Sequence, residues 1–123
     1  MKDTRILIVD DEPQYVWAIQ ANLEARGYEV YTADNGAAAL EQVTQCDPDL
    51  VLLDVCMPEM DGFQTASMLK VRRKTKDIPI VCYSPHILAD QMKAARMAGA
   101  TEVLPNSKMT TRINKILGKY INN

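Results

Sequence analysis

The fold is decided by the stretch LVLLDVCMPEMDG at residues 50–62, in which four apolar residues lead directly into a carboxylate and then a turn. A continuous apolar run of this length predicts a strand that is buried on both faces of its sheet. A second such run, Ile6–Val9, also ends in acidic residues, Asp10 and Asp11. Open parallel sheets bind ligands beyond the carboxyl ends of their strands. The two runs therefore predict a cluster of carboxylates at one edge of a parallel sheet.

Strand-like runs alternate along the whole chain with segments that are long enough for one helix each. The runs begin near Ile6, Glu29, Leu50, Ile80 and Glu102. Four helices are predicted at residues 13–26, 36–45, 61 or 62 to about 74, and about 87–98, and a fifth is predicted to carry Ile113, Ile116, Leu117 and Ile121. This alternation predicts an α/β domain with helices on both faces of a parallel sheet.

The second and fifth strands are predicted to form the two edges of this sheet. The run that begins at Glu29 is the least apolar and alternates in polarity, which suits an edge. The fifth run ends in Pro105, which has no backbone N–H to donate to a neighbouring strand. The residues that follow strands one, three, four and five then share one edge of the sheet. They are Asp10, Asp11, Asp54, Ser84 and Asn106.

Composition sets limits on the class of protein. With 123 residues, of which 47% are hydrophobic and 24% charged, the chain is expected to form a single domain over residues 1–123. Its 14 Lys and Arg residues against 16 Asp and Glu residues provide no basic surface for nucleic acid or for an anionic membrane. Three cysteines without metal-site spacing, together with the absence of a signal-peptide pattern, predict reduced thiols in a cytoplasmic protein.

Each residue at the predicted acidic edge has an ordinary structural interpretation, because Asp and Ser after a strand commonly cap a helix or form a turn. Their coincidence favours a binding site instead. Carboxylates that converge from two strand ends repel one another unless a cation lies between them. Oxygen ligands without a His or Cys cluster favour Mg²⁺ over Zn²⁺.

At these residues the chain resembles the receiver domain of two-component response regulators, over nearly its whole length. The resemblance rests on the acids at 10 and 11, the Asp-x-x-Met-Pro-x-Met-Asp-Gly segment that begins at Asp54, the hydroxyl of Ser84, and Gly99-Ala100 before the fifth strand. It implies a flavodoxin-like three-layer α/β sandwich. The expected sheet has five parallel strands in the order 2-1-3-4-5, with five helices.

The resemblance also implies a role for each residue at the acidic edge. Asp54 would accept a phosphoryl group from a histidine kinase or phosphotransfer protein, and Ser84 would be the switch hydroxyl that moves toward it. Asp11, Asp54 and the backbone carbonyl of Cys56 would ligate Mg²⁺, and Asp10 would support the ion through water. Phosphorylation would change the affinity for a downstream protein target, and the domain would have slow phosphatase activity of its own. Because no effector domain follows residue 123, either a partner carries the output or the sequence is part of a longer protein.

The chain departs from the family pattern in the fifth strand. Asn106 stands where receivers carry a lysine, and Val103 replaces an aromatic residue. An amide brings no positive charge to a phosphoryl group, so its stabilisation should be weaker. Two hypotheses follow: a phosphorylatable receiver, or an atypical receiver that acts as a phosphorylation-independent protein-interaction module. A phosphatase of the haloacid dehalogenase type is set aside, because Cys56 occupies the position of its second Asp.

The first predicted helix carries the single tryptophan of the chain, Trp17. Val16, Ile19 and Leu23 keep the spacing of one helix face, which predicts the buried side of this helix. We predict Trp17 to be a partly buried packing residue that also offers a fluorescence reporter.

Overall fold

The computed structural model describes residues 4–54, 62–84, 89–105 and 109–121, where five strands alternate with five helices. The strands are β1 (Arg5–Val9), β2 (Glu29–Ala33), β3 (Leu50–Asp54), β4 (Ile80–Ser84) and β5 (Glu102–Pro105). The helices are α1 (Pro13–Ala25), α2 (Gly36–Cys46), α3 (Gly62–Val71), α4 (Ala89–Ala98) and α5 (Met109–Tyr120). All five predicted strands are present, and the predicted beginnings of the third helix at Asp61 and the fourth near Ile87 lie outside the described residues.

The strands form one parallel sheet in the order β2-β1-β3-β4-β5, as predicted. Both edge assignments are confirmed. In β2 most side chains are only half-buried and Thr32 is exposed. In β5 the final Pro105 pairs with Ser84. The central β3 is buried along its whole length, as its continuous apolar run requires.

Alternating side chains of the sheet pack into two separate apolar layers. One face of the sheet supplies Leu7, Val9, Val51 and Leu53, which pack with residues of α2, α3 and α4. The opposite face supplies Ile6, Ile8, Leu50 and Leu52, which pack with α1 and α5. The fold is therefore the expected three-layer α/β sandwich, and none of the described helices has the length and apolar character needed to cross a membrane.

The C-terminal end of α3 was predicted wrongly. Helix α3 was expected to continue to about Lys74 but ends at Val71. Backbone carbonyls at and beyond this end accept hydrogen bonds from side chains. The Thr75 hydroxyl donates to the carbonyl of Leu69 at 2.5 Å. The Lys70 ammonium group donates to the carbonyls of Lys76 and Ile78, each at 3.0 Å. These bonds stabilise a turn in place of further helix.

The prediction for Trp17 was also wrong, because its side chain is 74% exposed. Helix α1 buries Ile19 and Leu23 against the sheet, with Val16 packed beside them. Trp17 is one residue from Val16, which turns it about 100° away from this face of the helix. A single buried stripe on α1 therefore leaves the tryptophan in solvent.

Candidate functional site

Three carboxylates converge at the carboxyl edge of the sheet. Asp54 is the last residue of β3, and Asp10 directly follows Val9, the last residue of the neighbouring β1. Ligand oxygens of Asp10, Asp11 and Asp54 all lie within 4.8 Å of one another. Asp10 is 2% exposed and Asp54 6%, whereas Asp11 is open to solvent. The structure thus brings together the acidic residues that the sequence singled out, with one of them accessible from outside.

The Asp10 carboxylate accepts a hydrogen bond on each of its oxygens. The backbone N–H of Glu12 donates to Oδ1 at 2.9 Å, and the phenol of Tyr83 donates to Oδ2 at 2.6 Å. The backbone N–H of Asp10 itself donates to the carbonyl of Ala33 at 3.0 Å, which continues the pairing of β1 with β2. Such donors offset the cost of burying a carboxylate and fix the orientation of the side chain.

Tyr83 is a residue of this site that was not predicted from the sequence. Its side chain is buried within the α1–α5 layer, and its hydroxyl reaches across β3 to Asp10. Burial, followed by the negative charge of Asp10 and the hydrogen bond to it, raises the pKa of Tyr83 far above its ordinary value. The phenol therefore stays protonated and acts as a donor. A tyrosine within an otherwise apolar strand was the available signal, since a buried phenol needs a polar partner.

The remaining predicted site residues come from β4 and from segments beyond strand ends. Tyr83 pairs with Asp54 in the parallel register, so the backbone of Ser84 lies one residue beyond this pair at the same edge. The side chain of Ser84 and the whole of Cys56 and Asn106 lie outside what the structure describes.

Val103, which stands in place of the family's aromatic residue in strand five, is buried in the layer formed with α2, α3 and α4. Tyr83 belongs to the layer on the opposite face of the sheet. The tyrosine therefore does not occupy the place of that aromatic residue, and its partner is the acidic cluster instead.

The donor set fits a hard divalent cation. Among the described residues it consists of three carboxylates, and oxygen ligands of this kind suit Mg²⁺. An octahedral Mg²⁺ ion holds its ligand oxygens at about 2.0–2.1 Å, which places neighbouring ligand oxygens about 3 Å apart. Ligand oxygens that lie within 4.8 Å of one another are near enough to approach one ion together. Both oxygens of Asp10 already accept protein hydrogen bonds, which suits this carboxylate to act on a bound ion through water.

The described cysteines take no part in the cluster. Cys46 and Cys82 are free thiols buried in the protein. Burial and the nearby negative charge of Asp54 raise the pKa of Cys82 to about 12. Burial likewise raises the pKa of Cys46. Both residues are therefore neutral thiols at physiological pH, and Cys56 is outside the described residues.

Known proteins resemble the chain along most of its length. A family model for the response regulator receiver domain matches residues 6–117. The transcriptional regulatory protein KdpE of Mycobacterium tuberculosis is 36% identical over 99 residues, which are 80% of this chain and 42% of KdpE. Protein PilH of Pseudomonas aeruginosa is 40% identical over 77 residues, which are 63% of this chain and 64% of PilH. The chain therefore matches less than half of KdpE and less than two thirds of PilH.

A solved structure shows the same architecture. The chemotaxis protein CheY4 of Vibrio cholerae superposes with a TM-score of 0.91 at 26% sequence identity, covering 98% of this chain and 100% of CheY4. Proteins of the matched family switch by phosphorylation, bind Mg²⁺ at an acidic pocket, and interact with histidine kinases and downstream effectors. On the match of residues 6–117, the chain belongs to the receiver domain family of two-component response regulators.

Proposed function

We propose that Asp54 accepts a phosphoryl group from a histidine kinase or phosphotransfer protein, and that this modification changes the affinity of the domain for a downstream protein. One observation carries the proposal. A buried carboxylate at the end of the central strand has its oxygens within 4.8 Å of those of two further carboxylates. Such a group is positioned to react once its negative charge is balanced.

In the proposed step an oxygen of the Asp54 carboxylate attacks phosphorus, and a new O–P bond forms. The bond from phosphorus to the imidazole nitrogen of the donor breaks, and its electron pair leaves with that nitrogen. Bound Mg²⁺ supplies positive charge that offsets the negative charges of the carboxylate and the phosphoryl group. Asp11, Asp54 and the backbone carbonyl of Cys56 would hold the ion directly, and Asp10 would order water around it.

The switch we propose begins at Ser84, the last residue of β4. Its hydroxyl donates to the phosphoryl oxygens and draws the loop that follows β4 toward Asp54. This movement re-aims the surface formed by α4, β5 and α5, which would carry the output to a protein target. The near balance of 14 basic and 16 acidic residues supports a protein partner rather than nucleic acid or a membrane. Free buried thiols support the cytoplasm as the location.

A second candidate function rests on Asn106. In place of a lysine, the neutral amide offers weaker stabilisation to a phosphoryl group. The alternative is a receiver that binds Mg²⁺ through the same carboxylates and acts as an interaction module without being phosphorylated. Both candidates share the fold and the acidic cluster, so they are distinguished by whether Asp54 becomes phosphorylated.

The discriminating experiment incubates the protein with Mg²⁺ and acetyl phosphate and follows its intact mass. The first candidate predicts the addition of one phosphoryl group to the wild type, none to Asp54→Asn, and none when a chelator removes Mg²⁺. Asp77→Asn is the matched control, since Asp77 is an exposed carboxylate shortly before the start of β4. It should be phosphorylated like the wild type. A wild type that binds Mg²⁺ but gains no mass would contradict the first candidate and support the interaction module.

A further inference from the structure

A tyrosine from β4 holds a carboxylate that belongs to the end of β1. Tyr83 is 1% exposed and donates to Asp10 Oδ2 at 2.6 Å, although 73 residues separate the two in sequence. In the sheet, β3 lies between their strands. The bond therefore spans two strand spacings, roughly 10 Å of backbone separation. It ties the two strands that flank β3 together at the level of Asp54.

The two hydrogen bonds on Asp10 constrain it in different ways. The N–H of Glu12 belongs to the same loop as Asp10, so it moves with the carboxylate. Tyr83 comes from another strand and is the register partner of Asp54. Its hydroxyl therefore sets the position of the Asp10 carboxylate relative to Asp54. Without this donor, Oδ2 of Asp10 would be buried without a hydrogen bond. The Asp10 side chain would then turn toward another partner.

We propose that Tyr83 is a positioning residue of the metal site. Its hydroxyl holds Asp10 in the orientation that orders water around Mg²⁺ bound by Asp11 and Asp54. The inference rests on the proposed function in taking the acidic cluster as the Mg²⁺ site. Outer-shell partners of metal ligands typically contribute 10–100-fold to metal affinity. Because Asp10 acts through water, we expect the Tyr83 hydroxyl to contribute about 10-fold to the affinity for Mg²⁺, the lower end of this range.

Tyr120 provides a matched control for a merely structural role. Its phenol also donates to a carboxylate, Glu102 at 2.8 Å, and its ring packs against the same apolar layer as Tyr83. Glu102 is the first residue of β5, so this pair lies at the opposite end of the strands from the acidic cluster. Replacing either tyrosine by phenylalanine removes one phenol-to-carboxylate bond. Only the replacement of Tyr83 should affect the binding of Mg²⁺.

The test is calorimetric titration of Mg²⁺ into the unphosphorylated protein, for the wild type, Tyr83→Phe and Tyr120→Phe. We expect the dissociation constant to rise about 10-fold in Tyr83→Phe and to stay within about twofold of wild type in Tyr120→Phe. Thermal unfolding in a chelator measures the structural contribution of each hydroxyl separately. Wild-type affinity in Tyr83→Phe, whatever its stability, would overturn the positioning role.

Two further results separate this inference from the proposed function. A wild type that binds no Mg²⁺ would overturn both the metal site and the role of Tyr83. A wild type that binds Mg²⁺ but accepts no phosphoryl group contradicts the proposed function alone. The ratio of the dissociation constants of Tyr83→Phe and wild type still decides the role of Tyr83.

A second experiment covers the case in which Tyr83→Phe does not fold. It uses the NMR spectrum of wild-type protein that carries ¹³C at the tyrosine Cζ atoms. Addition of Mg²⁺ should shift the Tyr83 resonance and not that of Tyr120, and an unmoved Tyr83 resonance would overturn the inference.

Discussion

Val9 in β1 pairs with Leu53 in β3, and this register sets the residues that follow them, Asp10 and Asp54, side by side. Parallel strands carry the acidic ends of two apolar runs to the same edge of the sheet. Asp11 joins them from the loop after β1, so three carboxylates share a small volume. Their mutual repulsion opposes folding unless a cation balances it. The stability of the domain should therefore depend on Mg²⁺.

The first prediction is that Asp11→Asn has opposite effects on stability with and without Mg²⁺. In a chelator, removal of one of three like charges should raise the free energy of unfolding by about 1 kcal/mol. In Mg²⁺ at 100 times its dissociation constant, the wild type should gain about 2.7 kcal/mol, and the variant much less. Urea denaturation with and without Mg²⁺ measures both effects. The control Asp77→Asn should show the same increase in the free energy of unfolding with Mg²⁺ as the wild type. An equal increase in Asp11→Asn would argue against a metal site at these carboxylates.

The second prediction concerns the packing of α3 against the end of α4. Gly99 has a φ of +115°, and a Cβ atom there would clash with Cγ of Lys70. The Lys70 side chain cannot move away freely, because its ammonium group donates to the carbonyls of Lys76 and Ile78. Gly99→Ala should therefore lower the free energy of unfolding by about 2 kcal/mol.

Gly118→Ala is the control for this variant. Gly118 lies in α5, and a Cβ atom there would meet nothing within 4 Å. Alanine should therefore stabilise the helix by up to about 1 kcal/mol. Urea denaturation measures the free energy of unfolding of both variants. A loss of stability in Gly118→Ala as large as that in Gly99→Ala would show that neither the positive φ of Gly99 nor its contact with Lys70 is the cause.

The third prediction concerns alkaline pH and Cys82. Burial and the charge of Asp54 raise the pKa of Cys82 from 9.0 to about 12. Because the folded-state value lies above the unfolded one, the neutral buried thiol contributes its full stability below about pH 9 and loses it progressively as pH rises toward 12. Free energies of unfolding measured from pH 8 to 10.5 should fall more steeply in the wild type than in Cys82→Ala. Parallel slopes would contradict the burial of a neutral thiol at this position.

Much of the fold was predictable from the sequence, because apolar runs that end in carboxylates indicate buried parallel strands. The polar alternation of β2 and the terminal Pro105 of β5 were sufficient to place both edges of the sheet. The C-terminal end of α3 was not predictable in the same way. It depends on where the side chains of Lys70 and Thr75 find carbonyl partners, and helix propensity does not contain this information.

The site was predictable where its residues follow strands and not where it depends on distant contacts. Asp10, Asp11 and Asp54 come together because the register of β1 and β3 brings them together. The bond from Tyr83 in β4 to Asp10, which follows β1, joins parts of the chain whose strands are not neighbours, so it requires the completed sheet. The exposure of Trp17 was missed because a large aromatic residue was assumed to pack, whereas α1 buries a single narrow stripe.

Chemical trapping of an aspartyl phosphate identifies the residue that becomes phosphorylated, which we propose to be Asp54. After incubation with acetyl phosphate and Mg²⁺, borohydride reduces an aspartyl phosphate to homoserine, and peptide mass spectrometry locates the product. We predict conversion at residue 54, abolished when Mg²⁺ is omitted. Conversion at Asp10 or Asp11 instead, or no conversion in protein shown to bind Mg²⁺, would show that Asp54 is not the phosphoacceptor.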